Sequence, residues 1–303
     1  SIARGRHFIR TGAEIHYYQS NFDAPVLTRG VINFSSFANF LIGRTSLTTL
    51  ANGITVRNLR TTDYGFFIQD DWKFSSRLTL TLGLRYELDL PPYDTLGRIS
   101  TFDPAMYKPR MQFNSSGNPV GPPAGGMVQA GNAIPQYNLP DVPNVVRRVV
   151  RSDANNLGPR FGFAYAPFES GRLVLRGGYG IFHSRSTFVS INNSLFSPPF
   201  YLQTLNTSLS TIETPFISPP PQDRFPILVQ GFPLSGFTFD RNLHTPYIQQ
   251  YNASAQFLLT KNMLLEIAYV GTRGLNLLRQ VAINQARLAS PQCPIINAVT
   301  GAT

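Results

Sequence analysis

Cysteine is nearly absent from this sequence: Cys293 stands alone among 303 residues. One thiol allows no internal disulfide and no cysteine-based metal site. Charge is scarce too, with Asp, Glu, Lys and Arg together at 14%, against roughly 25% in ordinary soluble domains. Long apolar runs are also missing. A spanning helix needs about eighteen or more consecutive apolar residues, and the best candidate, VINFSSFANFLIG at 31–43, is too short and too polar. No initiator Met, signal peptide or targeting motif opens the chain, and its ends, SIARG and NAVTGAT, read as an excerpt. No nucleophile motif such as G-x-S-x-G occurs, so nothing points to an enzyme.

What the chain has instead is a period of two. RLTLTLGLRYELDL at 77–90 places Leu78, Leu80, Leu82, Leu84, Tyr86, Leu88 and Leu90 on one face of an extended strand. Arg77, Thr79, Thr81, Gly83, Arg85, Glu87 and Asp89 take the other, because successive side chains point to opposite faces. Strands of soluble sheets usually need about five or six residues. A strand crossing a bilayer at a tilt needs about 9–11 plus interfacial ends, so 77–90 predicts a lipid-facing strand of an outer-membrane β-barrel. The mean hydropathy of −0.09 is what two averaged faces give.

The same alternation predicts strands at 7–18, 62–74, 157–167, 172–185, 246–259 and 263–270. Short turns at 75–76, 168–171 and 260–262 take turns with long loops at 19–61, 91–156, 186–245 and 280–303. Loops longer than about fifteen residues are uncommon in compact soluble domains, whereas outer-membrane barrels combine short periplasmic turns with long extracellular loops. The predicted fold is all-β: a partial transmembrane antiparallel up-and-down β-barrel with long extracellular loops. Leu78, Leu80, Leu82, Leu84, Phe161, Phe163, Leu173, Leu175, Leu265 and Ile267 are expected on its convex face, where Leu82→Arg would cost about 2–4 kcal/mol near the midplane. Tyr64, Trp72, Phe74, Tyr86, Tyr165, Tyr179, Tyr247 and Tyr269 lie near strand ends, as interfacial girdles do. Asp70 alone sits awkwardly on the outward face, which suggests an interfacial position or a local bulge. The loops, rich in Pro and Gly at 117–126 and 196–200, are expected to be irregular and exposed. Unpaired edges are expected near 7–18 and 263–270, with the strands that would close the barrel supplied from outside this chain.

The net charge of +10 invites a nucleic-acid reading, but the basic residues do not cluster, and Arg147, Arg148 and Arg151 form the densest group, in a loop. Pore lining, anionic headgroups or sugars suit such a charge better than nucleic acid. His7, His16, His183 and His244 lie on separate segments without ligand spacing, so no metal site is expected. Gly177-Gly178-Tyr179-Gly180 is not a phosphate loop, since no Lys-Ser/Thr follows; it suits bends or close approach of strands. Asp70 and Asp71 point to opposite faces and cannot act as a glycosidase pair, and Glu87 and Asp89 carry no stronger signal. No catalytic, cofactor or metal residues are predicted.

The segment YGFFIQDDWKFSSRLTLTLGLRYE at 64–87 resembles the barrel signature of TonB-dependent outer-membrane receptors, in which an aromatic-Q-D-D-W strand turns into a strand reading L-T-L-x-x-G-L-R-Y-E. NNLGPRFGFAYAP (155–167), LVLRGGYGIFHSR (173–185) and PYIQQYNASAQFLLTKNMLLEIAYVGTRGLNLL (246–278) are similar to the Oar-like branch of that family. The resemblance implies energised passage of a large or scarce substrate through the bacterial outer membrane. It implies outer-membrane lipid and the TonB complex as partners, the latter through a plug region missing from this chain, with the substrate unknown. From the residues alone two alternatives stay open: a passive porin-like channel, and a soluble or surface-attached all-β glycan-binding module.

Overall fold

Every long strand expected from the period of two forms, and several run further than the pattern predicts. The computed structural model describes residues 1–106, 112–113, 119–120, 126–139, 142–185, 199–206, 210–216 and 238–283. The chain begins with β1 (Ile2–Arg4), β2 (His7–Asp23), β3 (Val31–Asn33), the short helix α1 (Phe37–Leu41), β4 (Leu47–Gly53), β5 (Val56–Lys73) and β6 (Leu78–Asp89). The connection that follows holds β7 (Tyr93–Asp94), β8 (Ser100–Phe102), β9 (Gln112–Phe113), β10 (Pro119–Val120), β11 (Met127–Ala130) and β12 (Asn144–Val145). Then come β13 (Asn156–Tyr165), β14 (Leu173–His183), β15 (Tyr201–Asn206), β16 (Tyr247–Thr260) and β17 (Met263–Leu275). Cys293, most of the loop expected at 280–303 and most of the runs at 117–126 and 196–200 lie outside the described residues.

The long strands form one sheet in the order β1-β2-β5-β6-β13-β14-β16-β17, with β7 attached to β5. All its pairings are antiparallel. This is an up-and-down meander, with the tight connections (5–6, 74–77, 166–172 and 261–262) at one end. The long connections, 24–55, 90–155 and 184–246, lie at the other. The 74–77 turn is tight for a stated reason: Ser75 Oγ accepts from the backbone N–H groups of Arg77 and Leu78, at 3.2 and 3.0 Å.

Pairing of β2 with β5 is unbroken from His7↔Trp72 to Asp23↔Val56. Both strands therefore outrun the expected 7–18 and 62–74 at the long-connection end, and β17 likewise continues past 270 to Leu275. Asp70 is not at a bulge, because register holds on both sides, Ile9↔Asp70 and Asp70↔Leu82. The register shift in the main sheet lies instead between Leu258 and Thr260. The sheet is open. Among the described residues β17 pairs with β16 alone, and the outer edge of β2 carries only β1, opposite His7 to Ile9.

The expectation of irregular, exposed loops needs correction. β3, β4 and β15 form a three-stranded sheet, and β8, β11 and β12 form another in which β11 and β12 run parallel. These connections fold into a cap around Leu59, Ile99, Val128, Ala130, Val149, Val150 and Phe239, with Phe22, Val145 and Leu243 packed against them. Fully buried apolar residues among those described lie in this cap and in the strand tops beneath it. The reason is geometric. A one-layer sheet with one greasy and one wet face has nothing to pack against, so a core appears only where the connections fold back over the wet face.

Candidate functional site

Register decides which side chains share each surface of the sheet. One outward row runs Ile9, Asp70, Leu82, Phe161, Tyr179 and Tyr251, and the next runs Thr11, Ile68, Leu84 and Pro159. Leu82 is 43% and Leu84 45% exposed, and Ile267, further round, is 67% exposed. Leu78, Leu80, Phe163, Leu173 and Leu175 occupy the same face half-buried under neighbouring side chains. The Phe163 ring leans over Gly177, where a Cβ would lie only 2.4 Å from it. This is the close approach expected of the glycine run.

The apolar band has a measurable height. Tyr64 faces outward on β5, and exposed Phe74 stands immediately after the last residue of that strand, ten residues further along the chain. At roughly 3.3 Å per residue and a tilt of about 40°, that is about 25 Å, the height of an apolar band between aromatic girdles. At the tight-turn end Trp72 packs edge-on to Phe74 at 4.9 Å and stacks on His7 at 5.2 Å. His7 Nδ1 lies 2.7 Å from Asp70 Oδ2. The outward acid thus has a partner just inside the aromatic boundary, although its Oδ1 is buried with no hydrogen-bond partner among the described residues.

The inward face is a ladder of ion pairs. Arg10 Nη2 meets Asp71 Oδ2 at 2.6 Å, and Asp71 Oδ1 accepts from Thr81 Oγ1 at 2.9 Å and Gln69 Nε2 at 3.2 Å. One residue-pair row further on, Arg85 bridges Glu14 and Glu87, each at 2.8 Å, and His16 approaches Glu14 at 3.2 Å. Arg185 pairs with Asp63 at the long-connection end. Arg160 lies 4.5 Å over the Phe182 ring. Neighbouring strands supply alternating charge, so the wall is polar and electrically balanced.

Above the wall the cap is fixed by buried polar anchors. Asp94, fully buried, forms a bidentate pair with Arg98 at 2.9 Å and accepts from the backbone N–H of Asn58 at 2.8 Å. Burial alone would raise its carboxyl pKa, but the Arg98 and Asn58 bonds hold it below the usual carboxylate value. Tyr201 donates to the Val26 carbonyl, and burial pushes its hydroxyl up to about 12.

The four histidines stay apart. His7 and His16 are placed above, His183 lies 5.7 Å from the Tyr247 ring, and His244 lies 3.7 Å from Asp153. Among the described residues no group of three or more His, Cys, Asp or Glu is placed so that it could hold a metal ion. Asp70 and Asp71 turn to opposite faces, the first onto His7 and the second onto Arg10. The inward ladder was missed in the sequence because its partners lie far apart in the chain, Arg85 and Glu14 by 71 residues and Arg185 and Asp63 by still more. The one signal available was that polar residues of each strand fall on one face.

No curated protein and no solved structure matches this chain. A family model described as an outer membrane beta barrel domain matches residues 1–303. With an open antiparallel meander, an apolar band of membrane height and a polar inner wall, the chain belongs to that outer-membrane β-barrel family and resides in the bacterial outer membrane.

Proposed function

We propose that this chain forms part of the barrel of a TonB-dependent receptor of the Oar-like branch, which passes a large or scarce substrate under energy delivered by the TonB complex. The observation that carries this reading is the β5–β6 hairpin. Its sequence at 64–87 is the receptor-like one, and the polar residues of that motif build the inner wall. Asp71 of the Q-D-D-W core holds Arg10 and Thr81, and Arg85 of G-L-R-Y-E bridges Glu14 and Glu87. A charged wall beneath a folded cap suits binding and passage rather than catalysis. Contact with TonB is assigned to a plug region outside residues 1–303. The open edges at β2 and β17 are assigned to further strands that complete the barrel.

The test uses the full-length protein in its own cells and in planar bilayers. A receptor accumulates its ligand only with an energised inner membrane and an intact TonB complex, and shows no steady conductance when purified. Steady conductance without energy would establish a passive channel instead. Release from cells without detergent would refute both and favour a surface glycan-binding module.

A further inference from the structure

We infer that the outward face of the sheet, just above its apolar band, carries a binding site for the phosphate of an outer-leaflet lipid headgroup, built by Arg60, Arg147 and Arg148 around Tyr93. This rests on the family assignment for orientation, with the long connections facing outward from the cell, and not on the receptor reading. Arg60 and Tyr93 are directly opposed across β5 and β7, so they share a face. That face is the outward one, because β5 keeps its register with β2 throughout and Arg60 lies four residues beyond the girdle residue Tyr64. Four residues are about 13 Å along a strand and about 10 Å in height at the usual tilt. This is the level of headgroups, not of acyl chains.

The guanidinium carbons of Arg147 and Arg148 lie 4.2 and 5.2 Å from the centre of the Tyr93 ring. Stacking on a ring fixes the plane of a guanidinium while leaving its N–H edge free, and that edge matches phosphate oxygens two at a time. Arg148 also donates to the Pro91 carbonyl, and Arg60 donates to Asn21 Oδ1 at 2.7 Å and the Leu59 carbonyl at 2.8 Å. The side chains are therefore held in place.

What they lack, among the described residues, is a counter-charge. Every ion pair among the described residues lies elsewhere. On the inner wall Arg10, Arg85 and Arg185 are each paired with a carboxylate, whereas here Arg147 and Arg148 lie over one ring and Arg60 is opposed to it across β5 and β7, with no carboxylate paired to any of the three among the described residues. Burial and the charge of Arg147 pull the pKa of Arg148 below its ordinary value, a repulsion that an anion between them would relieve. Lipid phosphate is the anion at this height on this face.

The experiment measures, by native mass spectrometry of the full-length protein in detergent, retention of a phosphorylated outer-membrane glycolipid and of the same lipid after phosphatase treatment. Arg147→Glu is the primary variant, because Arg147 is exposed and can change without disturbing the Pro91 bond. Arg29→Ala, exposed in the connection between β2 and β3, is the charge-loss control. Heat-modifiable migration on gels verifies that each variant is folded. The expected result is retention of the phosphorylated lipid only, weakened about tenfold or more by Arg147→Glu and unchanged by Arg29→Ala. Equal retention of the dephosphorylated lipid, or full retention by folded Arg147→Glu, overturns the inference. Inorganic phosphate binding the lipid-free protein as tightly would assign the site to a soluble anion and overturn the lipid reading as well.

Discussion

A charge placed on the outward face should cost an amount that depends on one neighbour as well as on depth. Leu84 faces Ile68 on one side and Pro159 on the other, with no acidic residue in its row. Ile68 lies six residues from Phe74 and four from Tyr64, close to the middle of the apolar band. Leu84→Arg should therefore destabilise the membrane-embedded protein by about 2–4 kcal/mol. Leu82 is nearly as central, but Asp70 stands directly opposite it. Opposed Cβ atoms in an antiparallel pair are about 5 Å apart, so an arginine at 82 can reach the carboxylate whose Oδ1 is otherwise unpartnered. A charge-assisted bond of about 1.5–3 kcal/mol should offset much of the penalty. Leu82→Arg is thus expected to be milder than Leu84→Arg by at least about 1 kcal/mol, less than the full midplane cost expected of it from sequence. The assay is reversible guanidinium unfolding of the full-length protein in phospholipid vesicles, with circular dichroism as the probe. The double variant Leu82→Arg with Asp70→Asn should restore the full cost. Equal losses at 82 and 84, or a Leu84→Arg loss below about 0.5 kcal/mol, would refute the facing and depth deduced here.

The remaining predictions concern the cap and the sheet surface. Asp94→Asn leaves Arg98 buried without its carboxylate and should destabilise the cap by about 3–5 kcal/mol, seen as rapid proteolysis of the long connections while the strands stay protected. The same pair sets an acid limit: because the folded pKa of Asp94 lies below its ordinary 3.8, its contribution is full above that value and is lost as pH falls through the folded one. Protease resistance of the cap should thus hold from neutrality to about pH 4 and fail below, and acid lability already at pH 6 would contradict this. Gly177→Val drives a side chain into the space of the Phe163 ring and should cost about 1–3 kcal/mol; adding Phe163→Ala should recover part of it, and no recovery would mean the ring is not the obstacle.

The strands were legible because alternation is a local property. Leu78 to Leu90 announces its two faces without reference to any other residue, and the structure puts Leu82 and Leu84 on the outward one. Asp70 was half legible: the pattern showed that it faced outward, but only the register brings His7 to it from 63 residues away. The Arg10–Asp71 and Arg85–Glu14 pairs were illegible for the same reason, since one residue of slip between β2 and β5 would move every partner to the other face. The upper ends of β2 and β5 were missed because Arg57, Asn58, Leu59 and Arg60 break the greasy–wet contrast. There the wet face turns into the floor of the cap, where Leu59 is buried and Arg60 is left outside.

The cap was the least legible part, and its construction explains why. Its strands are only two to seven residues long, too short to show a period, and its Pro and Gly residues signal turns without saying what the turns bring together. Its core is also not self-contained. Leu59 comes from β5 and Phe22 from β2, while Ile99, Val128, Val149 and Phe239 come from two different connections. Without the paired tops of β2 and β5 these side chains have no common floor. Burial of the cap core is therefore coupled to pairing of the sheet beneath it. Lipid stabilises the lower part of each strand through its outward face, whereas the cap stabilises the upper part through the inward one. The crossover lies near Tyr64, where the aromatic girdle ends and buried Thr61 and Leu59 begin. A long strand such as β5 can therefore be 18 residues without exceeding the bilayer, because its upper residues are solvated by folded protein instead of lipid.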